Sequence, residues 1–436
     1  MNLNVLTIRH LPAAVRLGLR KLARRIGRGG GARRDPAAID VRDLIRDSSP
    51  EELNRLAEEY FSKLPNWDFH LAKPFHDAND APALLINFAT AIQGLEPFPG
   101  ARVLDFGAGS GWTSRYLTQL GCQVVVLDLS PTALRIAREL FARQPVVGAL
   151  PEPEFLEFDG RRISLPDASV DRILSFDAFH HVPDPDATLA ELARVLRPGG
   201  IATFSEPGPE HSKTEHSQHE MRTWGVIEND VDVHAIWRRA HEVGFTEIRM
   251  AACFPGSYQV SLRDYDQILA GRGAYLEWAE TTRSHLKNIR NFSLVRAGEE
   301  ARDSRRREGL AARIAIRLAG SARAGAPLRV EAEVRNVGRS RWLPSNQIPG
   351  GVSLGCHLYD DSNRVVENDF HWEPLASPPR PIEPGEAVSL SFELPPLSAG
   401  AWELEFDCVA DRVTWFGQVG SATRRVAVRV EPAAAP

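Results

Sequence analysis

The segment VLDFGAGSGW, Val103 to Trp112, constrains this 436-residue chain more than any other. An apolar run ends in Gly107, Gly109 and Gly111, and a helix-compatible stretch begins directly afterwards. Glycine adopts positive φ and lets a ligand approach the backbone, while a helix N-terminus presents unpaired N–H groups. A dinucleotide fingerprint would want glycine where this chain has Trp112, which argues against a pyrophosphate site.

The surrounding pattern sets the fold class. Short apolar runs at Arg102–Asp105, Gln123–Leu127, Glu154–Glu157, Arg172–Ser175 and Ile201–Ser205 alternate with helical periods after Gly111, Pro131, Pro185 and Val231. This predicts an α/β domain with a parallel sheet and crossover helices. A last strand pair, Glu247–Ala252 and Phe292–Arg296, closes the sheet around a longer insertion, and residues 38–63 read as helical. The domain is expected over 36–298, with a helical lead-in over 36–98. AGEEARDSRRRE is charged and lacks apolar periodicity, so 299–309 are expected to be a linker. From 310 to 432, runs such as VSLGCHLYDD and AWELEFDCVA alternate polar and apolar residues between Pro, Gly and Asn turns, which predicts an all-β sandwich.

Acidic residues stand at the ends of successive strands, where an open α/β sheet places its ligand crevice. Asp128 ends the second strand about twenty residues beyond the loop, where a carboxylate can accept both ribose hydroxyls. Asp159 ends the third and can receive an exocyclic amine of adenine; Asp105, just before the glycines, would face the cationic end of a ligand.

Taken together these residues resemble the class I methyltransferases, in particular the small-molecule group with a DxGxGxG loop, whose sheet is Rossmann-like and seven-stranded. The resemblance covers about half the chain and extends to LPDASVDRILSFDAFHHVPDP and LRPGGIATFSEP. It implies S-adenosyl-L-methionine as cofactor. Asp105, Gly107, Ala108 and Gly109 would contact its methionine part, Asp128 and Leu129 the ribose, and Asp159 and Gly160 the adenine; Phe176 or Phe179 would wall it.

Methyl transfer from a sulfonium needs mainly alignment and exclusion of water, and a base only where the acceptor loses a proton. Candidates are Asp177, His180 and His181 at the fourth strand and Glu206 at the fifth, with His181 the first choice; in this family the second histidine of such a pair is also often structural. His211, His216, His219, His234 and His241 form a dense group. His216 and His219 have a spacing that suits a metal on a helix, but a loop lining the acceptor pocket is the expected reading, and no metal is assigned.

Residues 310–430 resemble an immunoglobulin-like domain fused to bacterial glycosyltransferases and methyltransferases of surface-polysaccharide gene clusters, through NVGRSRW, IEPGEAVSLSFELPP and GAWELEFDCVADRVTWFGQVGS. Trp342, Trp372, Trp402 and Trp415 would either stack on sugars or fill the core. The acceptor is therefore expected to be an envelope glycan or lipid-linked sugar, with a small metabolite such as a quinone or polyketide, or a non-catalytic glycan-binding module, as alternatives.

With 52 Lys and Arg against 57 Asp and Glu, a net charge of −5 and no basic groove, a nucleic-acid partner is not expected. Four scattered cysteines without a CxxC pair suit a reducing cytoplasm. Ile8, Leu11, Val15, Leu19, Leu22 and Ile26 recur at helical spacing among arginines, so residues 1–34 suit the inner face of an anionic membrane, or else a tail or a helix docked on its own protein. Oligomeric state is not legible.

Overall fold

The computed structural model describes residues 38–148, 152–252, 259–300, 302–320 and 322–433. The chain divides into two units: the described residues up to Ala297 except 97–101 and 120–123, and those two segments with residues 298 onward.

In the first unit the apolar runs become strands β1 (Arg102–Phe106), β2 (Gln123–Asp128), β3 (Glu154–Glu157), β4 (Val170–Phe176), β5 (Leu196–Pro207), β6 (Phe245–Met250) and β7 (Ile289–Arg296). They form one sheet in the order β3-β2-β1-β4-β5-β7-β6. β7 runs antiparallel to β5 and β6. β4 and β5 extend beyond the expected runs because the flanking residues also enter the ladder, Val170 pairing with Leu196. Val103, Leu104, Val126, Leu127, Ile173, Leu174, Ala202 and Phe204 are buried, as both-face coverage by helices requires. The strand order reverses between β1 and β4, which opens a crevice at their C-terminal ends.

Ser or Asp followed by Pro starts three of the helices: α2 (Pro50–Ser62), α6 (Pro131–Arg143) and α7 (Pro185–Val195). In each the cap side chain accepts an N–H three residues on, and proline at N1 loses no helical bond. The Ser49–Pro50 start also explains why the lead-in is not one helix: α1 (Val41–Asp47) ends before it. α3 (Asp68–Leu71) and α4 (Ala81–Leu95) complete the lead-in, and α5 (Trp112–Gln119) follows the glycine loop. Between β5 and β7 lie α8 (Glu215–Trp224), α9 (Val233–Glu242), α10 (Leu262–Leu269) and α11 (Ala274–Asn288).

The second unit is all-β. β8 (Ala312–Ala319), β9 (Leu328–Asn336) and β12 (Ala387–Leu394) form one antiparallel sheet; β10 (Val352–Asp360), β11 (Val365–Pro374), β13 (Gly400–Ala410), β14 (Thr414–Trp415) and β15 (Arg424–Val430) form the other. Both contribute to one core that includes Val330, Leu354, Phe406 and Trp342. Part of the charged stretch expected as a linker packs here: Ser304 is fully buried, donates to the Gly350 carbonyl at 2.6 Å and accepts from Leu343 N–H at 2.9 Å. Its short polar side chain satisfies buried backbone groups, a role that apolar periodicity cannot reveal.

Cys122, Cys356 and Cys408 are buried. Among the described residues no helix is long and apolar enough to cross a membrane. The basic segment 1–34 lies outside the described residues.

Candidate functional site

The loop after β1 turns through three glycines at positive φ, Gly107 (67°), Gly109 (54°) and Gly111 (73°). They need glycine for different reasons. A Cβ on Gly107 would lie 2.6 Å from the Ala178 Cβ, and one on Gly111 2.8 Å from the Ala137 Cβ, whereas one on Gly109 would meet nothing within 4 Å. Gly109 thus faces open space at the C-terminal end of the sheet. Ala108 is held from behind, its N–H donating to the Leu127 carbonyl at 2.9 Å.

Asp128, at the end of β2, accepts the Gly109 N–H on Oδ2 at 2.7 Å and the Ser130 N–H on Oδ1 at 2.9 Å. Each oxygen retains acceptor capacity for a further donor. Burial pushes this carboxyl up to about 6 against those N–H bonds. Leu129 beside it is half-buried.

Asp105 is placed differently from the sequence reading. Its Oδ2 accepts the hydroxyls of Thr113, at 2.7 Å, and Ser114, at 2.5 Å, on the first turn of α5. It is 1% exposed, and burial pushes it up to about 6. The carboxylate therefore clamps the loop to α5, and the Gly107–Gly109 backbone is left to face a ligand. Asp159 is exposed; its Oδ1 accepts the N–H groups of Arg161 and Arg162, both at 2.7 Å, which holds it below the usual carboxylate range.

Two lead-in residues join this region that sequence reasoning missed. Glu58 on α2 accepts the hydroxyls of Ser130 and Thr132 and the Thr132 N–H. Asn54, one turn earlier, donates to the Asp159 carbonyl at 2.9 Å, and its amide lies where a Gly160 Cβ would fall. The helix α2 thus spans the ends of β2 and β3. Only a run of helix-forming residues marked it in the sequence; contacts across 72 and 105 positions leave no local pattern.

At β4 the backbone turns at Asp177, exposed with φ 55°, whose N–H donates to the Ser205 carbonyl at 2.8 Å. Glu206 does not face an acceptor. Its Oε1 accepts Ser175 Oγ at 2.8 Å and the N–H groups of Ala178 at 3.2 Å and Phe179 at 2.9 Å, and its Oε2 pairs with His180 Nδ1 at 2.8 Å. A carboxylate this saturated organises the 177–181 turn. Burial alone would lower the His180 imidazolium, but the Glu206 carboxylate outweighs it and holds His180 up to about 9. His180 is also buried, so of the two histidines only His181, with 46% of its side chain exposed, can meet an acceptor. Phe179 is core, packed on Phe204 at 5.3 Å. Phe176 is half-buried against Trp112 at 5.3 Å and Phe88 at 6.1 Å.

Of the downstream histidines, only His211 reaches this turn. His216 and His219 are exposed on α8, while His234 and His241 sit on α9. His211 Nε2 meets Glu228 Oε2 at 2.6 Å, and Glu228 Oε1 lies 3.7 Å from His181 Nδ1. Burial would raise Glu228, but the His211 hydrogen bond and the charges of the three histidines hold it near 2. Donor atoms of His180, His181 and Glu228 lie within 4.8 Å of one another, a spacing that a cation can bridge, although both Nδ1 atoms are already taken by Glu206 and the Ile227 carbonyl. Glu228 carries no motif, and sequence reasoning missed it.

Residues 104–204 match the family described as "Methyltransferase domain". The ubiquinone biosynthesis O-methyltransferase of Alkalilimnicola ehrlichii is 29% identical over 179 residues, 39% of this chain and 64% of that protein. The malonyl-[acyl-carrier protein] O-methyltransferase of Serratia marcescens is 38% identical over 107 residues, 24% of this chain and 38% of that protein. The chain thus spans less than two thirds of the length of these relatives. A solved S-adenosylmethionine-dependent methyltransferase from Mesorhizobium loti aligns at 23% identity and TM-score 0.36, covering 50% of this chain and 98% of that one.

Proposed function

We propose that this chain, whose residues 104–204 match a methyltransferase domain, is a class I, S-adenosylmethionine-dependent methyltransferase that methylates a hydroxyl oxygen of an envelope glycan or lipid-linked sugar. The observation that carries the cofactor part is the open cradle at Gly109, hydrogen-bonded to a buried Asp128 with acceptor capacity to spare.

S-adenosylmethionine, when bound, supplies a methyl group activated by positive sulfur. The Gly107–Gly109 backbone receives the methionine part, with Asp105 bracing the loop from behind. Asp128 and Leu129 take the ribose, Asp159 and Gly160 the adenine edge, and Phe176 walls the crevice. His181 accepts the proton that the acceptor hydroxyl loses, and Asp177 stands exposed beside it. His180 and Glu206 hold the turn.

The glycan part of this reading draws on the second unit. Trp342 is core, and Trp402 packs against the core with its Nε1–H donating to Ser398 at 2.9 Å. Trp372 and Trp415 meet at 5.7 Å; Trp372 pairs across from Gly355, on the strand face opposite core residues Leu354 and Cys356. A sugar-binding face on the same chain would raise the local acceptor concentration. The basic amphipathic pattern of residues 1–34 suits contact with an anionic membrane. A second reading, methylation of a small metabolite, is favoured by the names of the relatives, which act in ubiquinone biosynthesis and on malonyl-[acyl-carrier protein].

Calorimetric titration with S-adenosylmethionine and S-adenosylhomocysteine, with NAD as control, tests the cofactor part. Micromolar binding of the adenosyl ligands alone is expected; a folded sample that binds neither overturns it. Transfer of labelled methyl to envelope glycans or to quinol precursors then separates the two acceptor classes.

A further inference from the structure

We propose that Glu228 and His211 are positioning residues that make His181 the proton acceptor of the reaction, an inference that rests on the methyltransferase reading above. Three contacts carry it. His181 Nδ1 lies 2.6 Å from the Ile227 carbonyl. A carbonyl only accepts, so Nδ1 carries the proton and Nε2 presents a bare lone pair. Glu228 stands behind the same ring, Oε1 at 3.7 Å from Nδ1 and only 5% exposed. His211 Nε2, at 2.6 Å, fixes the other carboxylate oxygen, and Ser217 Oγ lies 3.3 Å from that nitrogen.

The arrangement follows the logic of a buried acid that holds an imidazole in one tautomer and stabilises its cation. As the acceptor oxygen gains the methyl group, the carbon–sulfur bond breaks with its electron pair left on sulfur. The hydroxyl proton passes to His181 Nε2. The imidazolium is then countered by Glu228 and returns the proton to solvent through the exposed part of the ring.

The other groups around His181 do not substitute. Glu206 is committed to His180 and the turn amides. Burial, joined by the like charge of His180, whose ring centroid is 3.9 Å from that of His181, holds His181 below the usual imidazole range. Asp177, on the same turn, is exposed and solvated. Tyr60 on α2 is a neutral phenol that burial raises, with the charges of Glu220 and then Glu228 adding to it. Glu228 is thus the buried carboxylate left to serve His181 among the described residues, and it lies 47 positions away in sequence.

The test is imidazole nitrogen–proton NMR of the full chain against pH, for wild type, Glu228→Gln and His211→Asn. The wild-type spectrum should show His181 with its proton on Nδ1. Loss of the carboxylate in Glu228→Gln should lower the His181 midpoint by about one pH unit, the scale of a nearby opposite charge. His211→Asn, which frees the carboxylate without removing it, should lower it less. Diethyl pyrocarbonate, which modifies the neutral ring, gives a second readout: His181 modification should shift in pH with the same midpoints. Thermal unfolding confirms that each variant is folded.

An unchanged His181 midpoint in folded Glu228→Gln, or a proton on Nε2 in wild type, overturns the proposal. So does a His181 that titrates only after EDTA treatment and is silenced by added Zn²⁺, which would assign the three donors to a cation. Failure of wild type to bind S-adenosylhomocysteine sinks the methyltransferase reading separately, because the NMR outcome does not depend on it.

Discussion

Gly109 donates its backbone N–H to Asp128 Oδ2 at 2.7 Å, which ties the turn after β1 to the end of β2. Asp128→Asn places an amide where Gly109 and Ser130 both donate, and removes the charge that ribose hydroxyls would meet. We expect S-adenosylhomocysteine affinity to fall by about 1.5–3 kcal/mol, the scale of a hydrogen bond to a charged group. Burial holds this carboxyl up to about 6, so wild-type affinity should weaken as pH drops through that value, where the ionised acceptor is lost. Calorimetry from pH 5 to 8 checks both; a flat profile with an unaffected variant removes the ribose assignment.

Gly107 and Gly109 separate fold from ligand. Both sit at positive φ, where alanine costs about 1–2 kcal/mol. At Gly107 the added Cβ also meets Ala178 at 2.6 Å, whereas at Gly109 it meets nothing. Gly107→Ala should therefore destabilise by about 2–4 kcal/mol once overpacking is included. Gly109→Ala should lose less stability but more cofactor affinity, because its methyl enters the space a ligand would fill. Denaturant melts alongside calorimetry distinguish them; equal affinity loss per unit of stability lost would mean that Gly109 faces no ligand.

The same residues show what a sequence can carry. The glycine loop, strands β1 to β5 and the acids at their ends are short-range features: each needs only an apolar run, a turn residue and a neighbour. Asp105 was legible as an acid at a strand end, expected to face the cationic end of a ligand, but not as a clamp, because Thr113 and Ser114 come within reach only once α5 has formed. Glu58, Asn54 and Glu228 were not legible at all. Their partners lie 17 to 105 residues away and are chosen by packing, not by periodicity. The helical lead-in and the histidine-rich segment were visible as composition; that one supplies Glu58, and the other His211, follows from tertiary placement alone.

His180 and Glu206 give a pH dependence with a defined sign. The folded His180 is held up to about 9, above its unfolded value near 6.5. The pair therefore contributes its full stability below about 6.5 and loses it as pH rises through about 9. The unfolding midpoint of wild type should decline across that window, and the decline should flatten in His180→Gln. Glu206→Ala, which orphans a buried imidazolium and the hydroxyl and amide donors around it, should cost about 3–5 kcal/mol at pH 7. Calorimetric melts between pH 6 and 10 check the slope; a wild-type midpoint that rises with pH contradicts it.

The tryptophans of the β unit allow structure and binding to be read apart. Trp342 is fully buried, its ring 5.3 Å from Phe416, and its backbone N–H and carbonyl pair with those of Ile382. Truncating it leaves a large cavity where both sheets meet, so Trp342→Ala should cost about 3–5 kcal/mol. Trp372 is 38% exposed, and its removal should cost less than about 1 kcal/mol, as for surface positions in general. Its indole N–H already donates to Asp369 at 3.3 Å, which leaves the ring face available to an apolar sugar face. On the glycan reading, Trp372→Ala should lose retention on immobilised envelope polysaccharides while melting close to wild type. Trp342→Ala should lose both together, through unfolding. If Trp372→Ala and wild type are retained equally, the β unit does not use this face for sugars, and the small-metabolite acceptor becomes the better account of what the catalytic unit methylates.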